Sequence, residues 1–152
     1  MTLHAAFYKS TRPGFLGLYN RAVRAFENGP YSHCELVFSD GDSASASFLD
    51  HGVRFTGKTW PHPAIDFANG NWDLISLPDS YELQARAFWQ AHMSWSYDTR
   101  GNVRFLWPWG NRDSKLKLFC SEGLLASLGV SEAWRFGVNA AAAVCHKLGE
   151  AA

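Results

Sequence analysis

A thiol and an imidazole are the side chains in this sequence best suited to joint chemistry. Cys120 opens the segment Cys120-Ser121-Glu122-Gly123-Leu124-Leu125-Ala126-Ser127-Leu128, which reads as a helix stopped at Gly129. A cysteine in the first turn of a helix sits among unpaired backbone N–H groups at the positive end of the dipole, and both favour thiolate over thiol. The same N–H groups can donate to the oxyanion that forms when a thiolate attacks a carbonyl. His33 is the best imidazole to act as base. It lies in Tyr31-Ser32-His33-Cys34-Glu35-Leu36-Val37-Phe38, an expected strand that begins just after the Asn28-Gly29-Pro30 break, so its face can be half open. The two residues are remote in sequence, and only tertiary folding can join them.

The other residues with chemical potential are less well placed. Strand alternation puts His33, Glu35 and Val37 on one face and Cys34, Leu36 and Phe38 on the other. Cys34 is therefore expected in the core, as is Cys145 on the last helix. Three widely spaced cysteines with no CxxC pair argue against a disulfide framework and a structural zinc site. His4, His51, His62, His92 and His146 show no metal-ligand spacing such as HExxH. No cofactor is expected.

The elements that must carry these residues follow from periodicity. Residues 3–9 form a short apolar strand, broken by Ser10-Thr11-Arg12-Pro13-Gly14. Apolar positions spaced by three and four predict an amphipathic helix over 15–27. Three short strands follow, at 31–38, 43–48 and 53–55, joined by tight turns as an antiparallel meander. Residues 56–71 read as loop and 72–77 as strand. Asp79 or Ser80 is placed to cap a helix over 81–93, with Leu83, Ala87 and Ala91 on one stripe. Residues 94–118, with Trp95, Tyr97, Phe105, Trp107 and Trp109, read as aromatic-rich loop able to line a cleft or cover a hydrophobic cluster. Helices over 120–128 and 138–148 complete the chain. The pattern is α+β: a short antiparallel sheet or half-barrel packed against helices, in a single domain over 1–152.

Composition narrows the function classes. With 152 residues and 47% hydrophobic content, the chain can bury one core and is not disordered overall. Fourteen basic and fourteen acidic residues cancel, with no Lys/Arg block, which gives no general pull toward nucleic acid or an anionic membrane. No apolar run approaches a membrane span and no secretory leader is visible, so a cytoplasmic protein is expected.

Pro30-Tyr31-Ser32-His33-Cys34-Glu35-Leu36-Val37-Phe38, followed late by Phe119-Cys120-Ser121-Glu122-Gly123-Leu124, resembles the circularly permuted branch of the NlpC-type papain-like hydrolases. That branch includes YiiX-like proteins and is related to lecithin:retinol acyltransferase. The Tyr-Ser-His strand followed by Gly52-Val53-Arg54-Phe55 also resembles phage and prophage members. The resemblance covers roughly residues 4–130 and reverses the usual Cys-before-His order. It implies Cys120 as nucleophile and His33 as general base. It also implies a polar residue on the next strand orienting the imidazole, with Ser45 or Ser47 as occupant. Glu35, which shares a strand face with His33, is the rival; its alternative is an exposed strand carboxylate. Tyr97, in Tyr97-Asp98, matches a tyrosine near the family's active site and can aid an oxyanion. Glu122 is read as a helix cap.

The expected function is a cysteine hydrolase that cleaves an amide bond, in a peptidoglycan-type peptide, through an acyl-enzyme. Two alternatives stand beside it. One is an acyltransferase or thioesterase on a lipid or thioester. The other is a non-enzymatic phage accessory protein that retains the fold. Association with a virion is the alternative to a cytoplasmic location. The expected partners are a small peptide, a muropeptide or an acyl substrate.

Overall fold

The computed structural model describes residues 2–47, 49–97 and 117–151. In chain order the elements are β1 (His4–Tyr8), α1 (Phe15–Phe26), β2 (His33–Val37), β3 (Ser43–Ser47), β4 (Gly52–Thr56) and β5 (Trp72–Ser76). A 3₁₀ turn (Asp79–Tyr81) leads into α2 (Glu82–Ala91). Then come β6 (Ser96–Tyr97), β7 (Lys117–Leu118), α3 (Cys120–Ser127), a second 3₁₀ turn (Ala133–Arg135) and α4 (Val138–Glu150). The strands form one open sheet in the order β5-β1-β2-β3-β4-β6-β7. Every pairing is antiparallel except the parallel pair β6–β7. The chain is thus α+β, with a sheet that stays open.

Alternation along the strands assigns the two faces. Ala5, Phe7, Cys34, Leu36, Ala44 and Phe55 face the main core, where they meet Trp89 of α2, Leu124 and Leu125 of α3, and Ala141 and Cys145 of α4. The opposite face carries Ala6, Tyr8, Val37 and Trp72, covered by Ile65 and Phe67 from the loop after β4. Toward β4 that second face becomes polar, where Ser43 stands opposite Thr56 and Ser45 opposite Arg54.

One irregularity positions the site. β1 and β2 pair along five residues, but β2 and β3 pair only at Leu36↔Ala44 and Val37↔Ser43. The ladder stops before it reaches His33, and Ser45 Oγ donates to the Cys34 carbonyl at 2.7 Å in its place. The opened end of β2 faces the N-terminus of α3.

Several expectations need correction. The 94–118 segment is not loop throughout its described part, because Ser96–Tyr97 pairs with β4 and β7. A two-residue strand carries too little alternation to announce itself. Phe105, Trp107 and Trp109 lie outside the described residues. The Leu83, Ala87, Ala91 stripe of α2 faces solvent, with Leu83 83% exposed. The buried pair is Ala85 and Trp89, one turn apart, and the indole is the largest single apolar side chain the helix can place in the core. Asp79 does not cap α2; its carboxylate accepts from Leu3 N at 3.1 Å and ties the start of β1 to the 3₁₀ turn.

Candidate active site

The loop that delivers His33 is held at both ends. Glu27, just after α1, accepts from the first backbone N–H groups of α4, Val138 N at 3.1 Å and Asn139 N at 2.8 Å. A carboxylate suits that helix terminus. Asn139 in turn accepts from Tyr31 N at 2.9 Å and donates to Tyr31 O at 3.0 Å. Asn20 of α1 donates to Ser32 Oγ at 3.0 Å. These bonds fix residues 27–32 and so the entry into β2.

Helix α3 is anchored on nearly every side. Seven of its eight residues are buried, all but Ala126. Phe119 N donates to Glu122 Oε2 at 3.4 Å, which makes Glu122 a cap on the first turn. Ser121 Oγ donates to Phe136 O at 2.9 Å. Gly123 lies flat against the Trp89 indole: a Cβ there would stand 2.3 Å from Cη2. Close packing on Trp89 therefore requires the glycine, and it lets the helix seat Cys120 at the opened end of β2.

The structure brings Cys120 and His33 together. Cys120 stands beside the imidazole, close enough for thiol and ring to act on each other's charge, and His33 Nε2 is hydrogen-bonded to Glu35 Oε1 at 2.9 Å. With Nε2 engaged by the carboxylate, Nδ1 is the nitrogen left for the sulfur. Glu35 is wholly buried. Its Oε1 also accepts from Arg54 Nη2, and Ser43 Oγ donates to Oε2 at 3.4 Å. Arg54 is itself held by Asp50, with Nε 2.9 Å from Oδ2.

Charge follows from these contacts. Burial alone would raise the Glu35 carboxyl, but the adjacent Arg54 charge and the His33 hydrogen bond outweigh it and hold the pKa below its ordinary value. Burial alone would lower the imidazole; its interactions with Cys120 and Glu35 outweigh that and raise it to about 9. Cys120 moves in the opposite direction, well below an ordinary thiol. The first cause is a hydrogen bond from the Cys34 thiol; burial opposes it, and His33 and the Cys34 backbone N–H add to it. Both shifts favour the thiolate–imidazolium form of the pair. Cys34 moves well up, through burial and its bond to Cys120, and remains a thiol. Burial pushes Cys145 up to about 12.

Two expectations about the site are corrected. Ser45 and Ser47 do not orient the imidazole: Ser45 Oγ is spent on the Cys34 carbonyl, and Ser47 Oγ accepts from Leu49 N at 3.2 Å. The carboxylate on the histidine's own strand, two residues on, takes that position because period-two alternation aims both at one side. Cys34 does face the core, but the core at that point is the first turn of α3, so it touches the nucleophile. Alternation gave its face; only the fold could show what stands against it.

A narrow cleft opens beside the imidazole. It is lined by His33, Ser32 and Ser47, by Leu16, Tyr19 and Asn20 of α1, by Arg12 and Leu49, and by Tyr97. Its cavity volume of about 40 Å³ admits a few water-sized groups, such as a carbonyl and its substituents, rather than a whole ligand. The Tyr19 and Tyr97 hydroxyls stand 3.5 Å apart. Burial pushes the Tyr19 hydroxyl up to about 12, so it stays a protonated donor near Cys120. Tyr19 reads in the sequence only as one apolar position of an amphipathic helix, and nothing there marks it for the site. Among the described residues no group of three or more His, Cys, Asp or Glu side chains is arranged to hold a metal ion.

Compared with known proteins, the chain matches no family model, no curated protein and no solved structure.

Proposed function

We propose that this protein is a cysteine hydrolase that cleaves an amide bond in a small peptide of the peptidoglycan type. The observation that carries this reading is the row Cys120–His33–Glu35, with the sulfur at a helix start and the carboxylate neutralised from behind by Arg54. The Cys120 thiolate attacks the carbonyl carbon, and backbone N–H groups of the first turn of α3 take the oxyanion. Tyr97 and Tyr19 supply hydroxyls on the cleft side. The His33 imidazolium gives its proton to the leaving amine as the C–N bond breaks, leaving a thioester on Cys120. The neutral imidazole then takes a proton from water. The resulting hydroxide adds to the thioester, and the acid leaves as Cys120 returns to thiolate. Glu35 holds the ring and its positive charge throughout. A buried carboxylate in the third position also counts against an inert protein that merely keeps the fold.

A second reading, hydrolysis or transfer of an ester or thioester acyl group, is favoured by the apolar rim that Leu16 and Leu49 give the cleft. Incubation with muropeptides and with short-chain acyl esters, followed by intact-mass measurement, tests both. An adduct on Cys120 that is missing in Cys120→Ser supports the shared chemistry, and the substrate that forms it chooses between them. No adduct and no product from either class counts against both. Turnover is expected to rise as pH passes upward through the depressed Cys120 pKa, where the thiolate forms. It falls above about pH 9, where His33 loses the proton the leaving group needs. A rate still climbing through pH 9 to 10 contradicts the assignment.

A further inference from the structure

Helix α1 is amphipathic, and part of its apolar side is turned outward, while Leu16, Tyr19 and Val23 are half-buried, Val23 against the main core. It buries only Gly17 and Asn20, while Phe15, Leu18 and Phe26 are 78%, 64% and 56% exposed. Ala22 and Ala25 are exposed between them. At 3.6 residues per turn, positions 15, 18, 22, 25 and 26 form one continuous stripe. Single exposed apolar residues are ordinary; a stripe along a whole helix marks a surface that something covers.

The charges around the stripe say what covers it. Between Ser10 and Phe26 the sequence has three arginines, Arg12, Arg21 and Arg24, and no acidic residue. Among the described residues none of the three has a carboxylate within ion-pairing distance. Arg24 spends its donors on the Lys9 and Ser10 carbonyls and on Thr11 Oγ1, neutral groups that leave its charge uncompensated. Arg21 is exposed and follows Leu18 by three residues, so it borders the stripe. The zero net charge of the whole chain hides this local excess. A second copy of the chain is a poor occupant, because two such helices face to face would set arginines against arginines. Apolar side chains flanked by cations are what the acyl and headgroup layers of an anionic bilayer accept.

We propose that α1 docks this protein on an anionic lipid surface, with Phe15, Leu18 and Phe26 inserted and Arg21, at the edge of the stripe, against the headgroup phosphates. Leu16, Tyr19 and Asn20 on the same helix line the cleft, and Leu49 on its rim is 46% exposed. Docking therefore brings the cleft down to the bilayer. The proposal needs no helix that crosses the membrane, and none of the described helices is long and apolar enough to do so. It also stands apart from the chemistry of Cys120.

Co-sedimentation of the full chain with vesicles tests it. Binding is expected to mixed phosphatidylglycerol–phosphatidylcholine vesicles and to be lost at high salt and on pure phosphatidylcholine. The double variant Phe15→Ser/Leu18→Ser is expected to bind at least about tenfold more weakly, for the loss of two inserted apolar side chains. Arg21→Gln is expected to bind about fivefold more weakly, for one charge removed. Circular dichroism should show both folded, since all three side chains are exposed; Phe26→Ser repeats the test if the double variant does not fold. Absence of binding, or binding indifferent to these variants, overturns the proposal. So does a solution dimer that Phe15→Ser/Leu18→Ser dissociates, which would make the stripe a self-interface, or a stripe that binds an acidic peptide in preference to the vesicles.

Discussion

Helix α3 carries the sulfur and α1 lines the cleft beside the imidazole, yet α3 buries seven of its eight residues whereas α1 buries two of twelve. One is a fixed part of the core. The other is tied down by a few polar bonds, Asn20 to Ser32 and Arg24 to the 9–11 turn, and by Val23 against the core, and leaves the Phe15, Leu18 and Phe26 stripe exposed. The difference matches two demands. A nucleophile must be held within fractions of an ångström of its base, which needs packing on all sides. The mouth of a cleft must meet something outside the molecule, which needs a face left uncovered.

Substitutions can break or sharpen this contrast. The largest effect is expected at Trp89, fully buried under α3. Trp89→Ala should cost about 3–5 kcal/mol in chemical denaturation and loosen the seat of Cys120. Next is Cys34→Ala, which removes a donor to a buried anion worth about 1.5–3 kcal/mol. It should raise the Cys120 pKa and slow alkylation about tenfold or more on the acid side, with little change at pH 8. Equal rates across the pH range would mean that the Cys34 thiol does not stabilise the thiolate.

Gly123→Ala comes third. Alanine gains about 1 kcal/mol of helix propensity over glycine, but its Cβ would strike a fully buried indole. The clash should win by about 1–2 kcal/mol and lower the melting temperature by several degrees. Phe26→Ala on α1 is the smallest, within about 0.5 kcal/mol of wild type. A large loss of stability there would show that α1 is packed like α3 and would remove the contrast.

Much of this was legible from the residues. Among the described residues, the four helices and the five longer strands follow from periodicity and breakers to within about two residues at most ends. His33 and Cys120 stood out because each residue type sits where its chemistry is favoured, at a strand start and at a helix start. Glu35 was within reach by alternation alone. What the sequence did not carry is which elements stand opposite one another. Cys34 was placed on the correct face but without its neighbour, because the splay between β2 and β3 leaves no pattern along the chain. Arg54, which neutralises Glu35, lies on β4 and is brought to it by sheet order. The exposed stripe of α1 reads in the sequence like any core-facing helix, since periodicity records that a helix has two sides and not which one the protein turns inward.

The central claim, a thiolate at residue 120 held by the thiol of residue 34 and the imidazole of residue 33, is tested most directly by iodoacetamide at neutral pH with site-resolved mass spectrometry. Cys120 should be carbamidomethylated far ahead of Cys34 and Cys145, and His33→Ala should slow that labelling by about 100-fold or more. Slow and equal labelling of all three cysteines, or rapid labelling of Cys120 that survives His33→Ala, would contradict it.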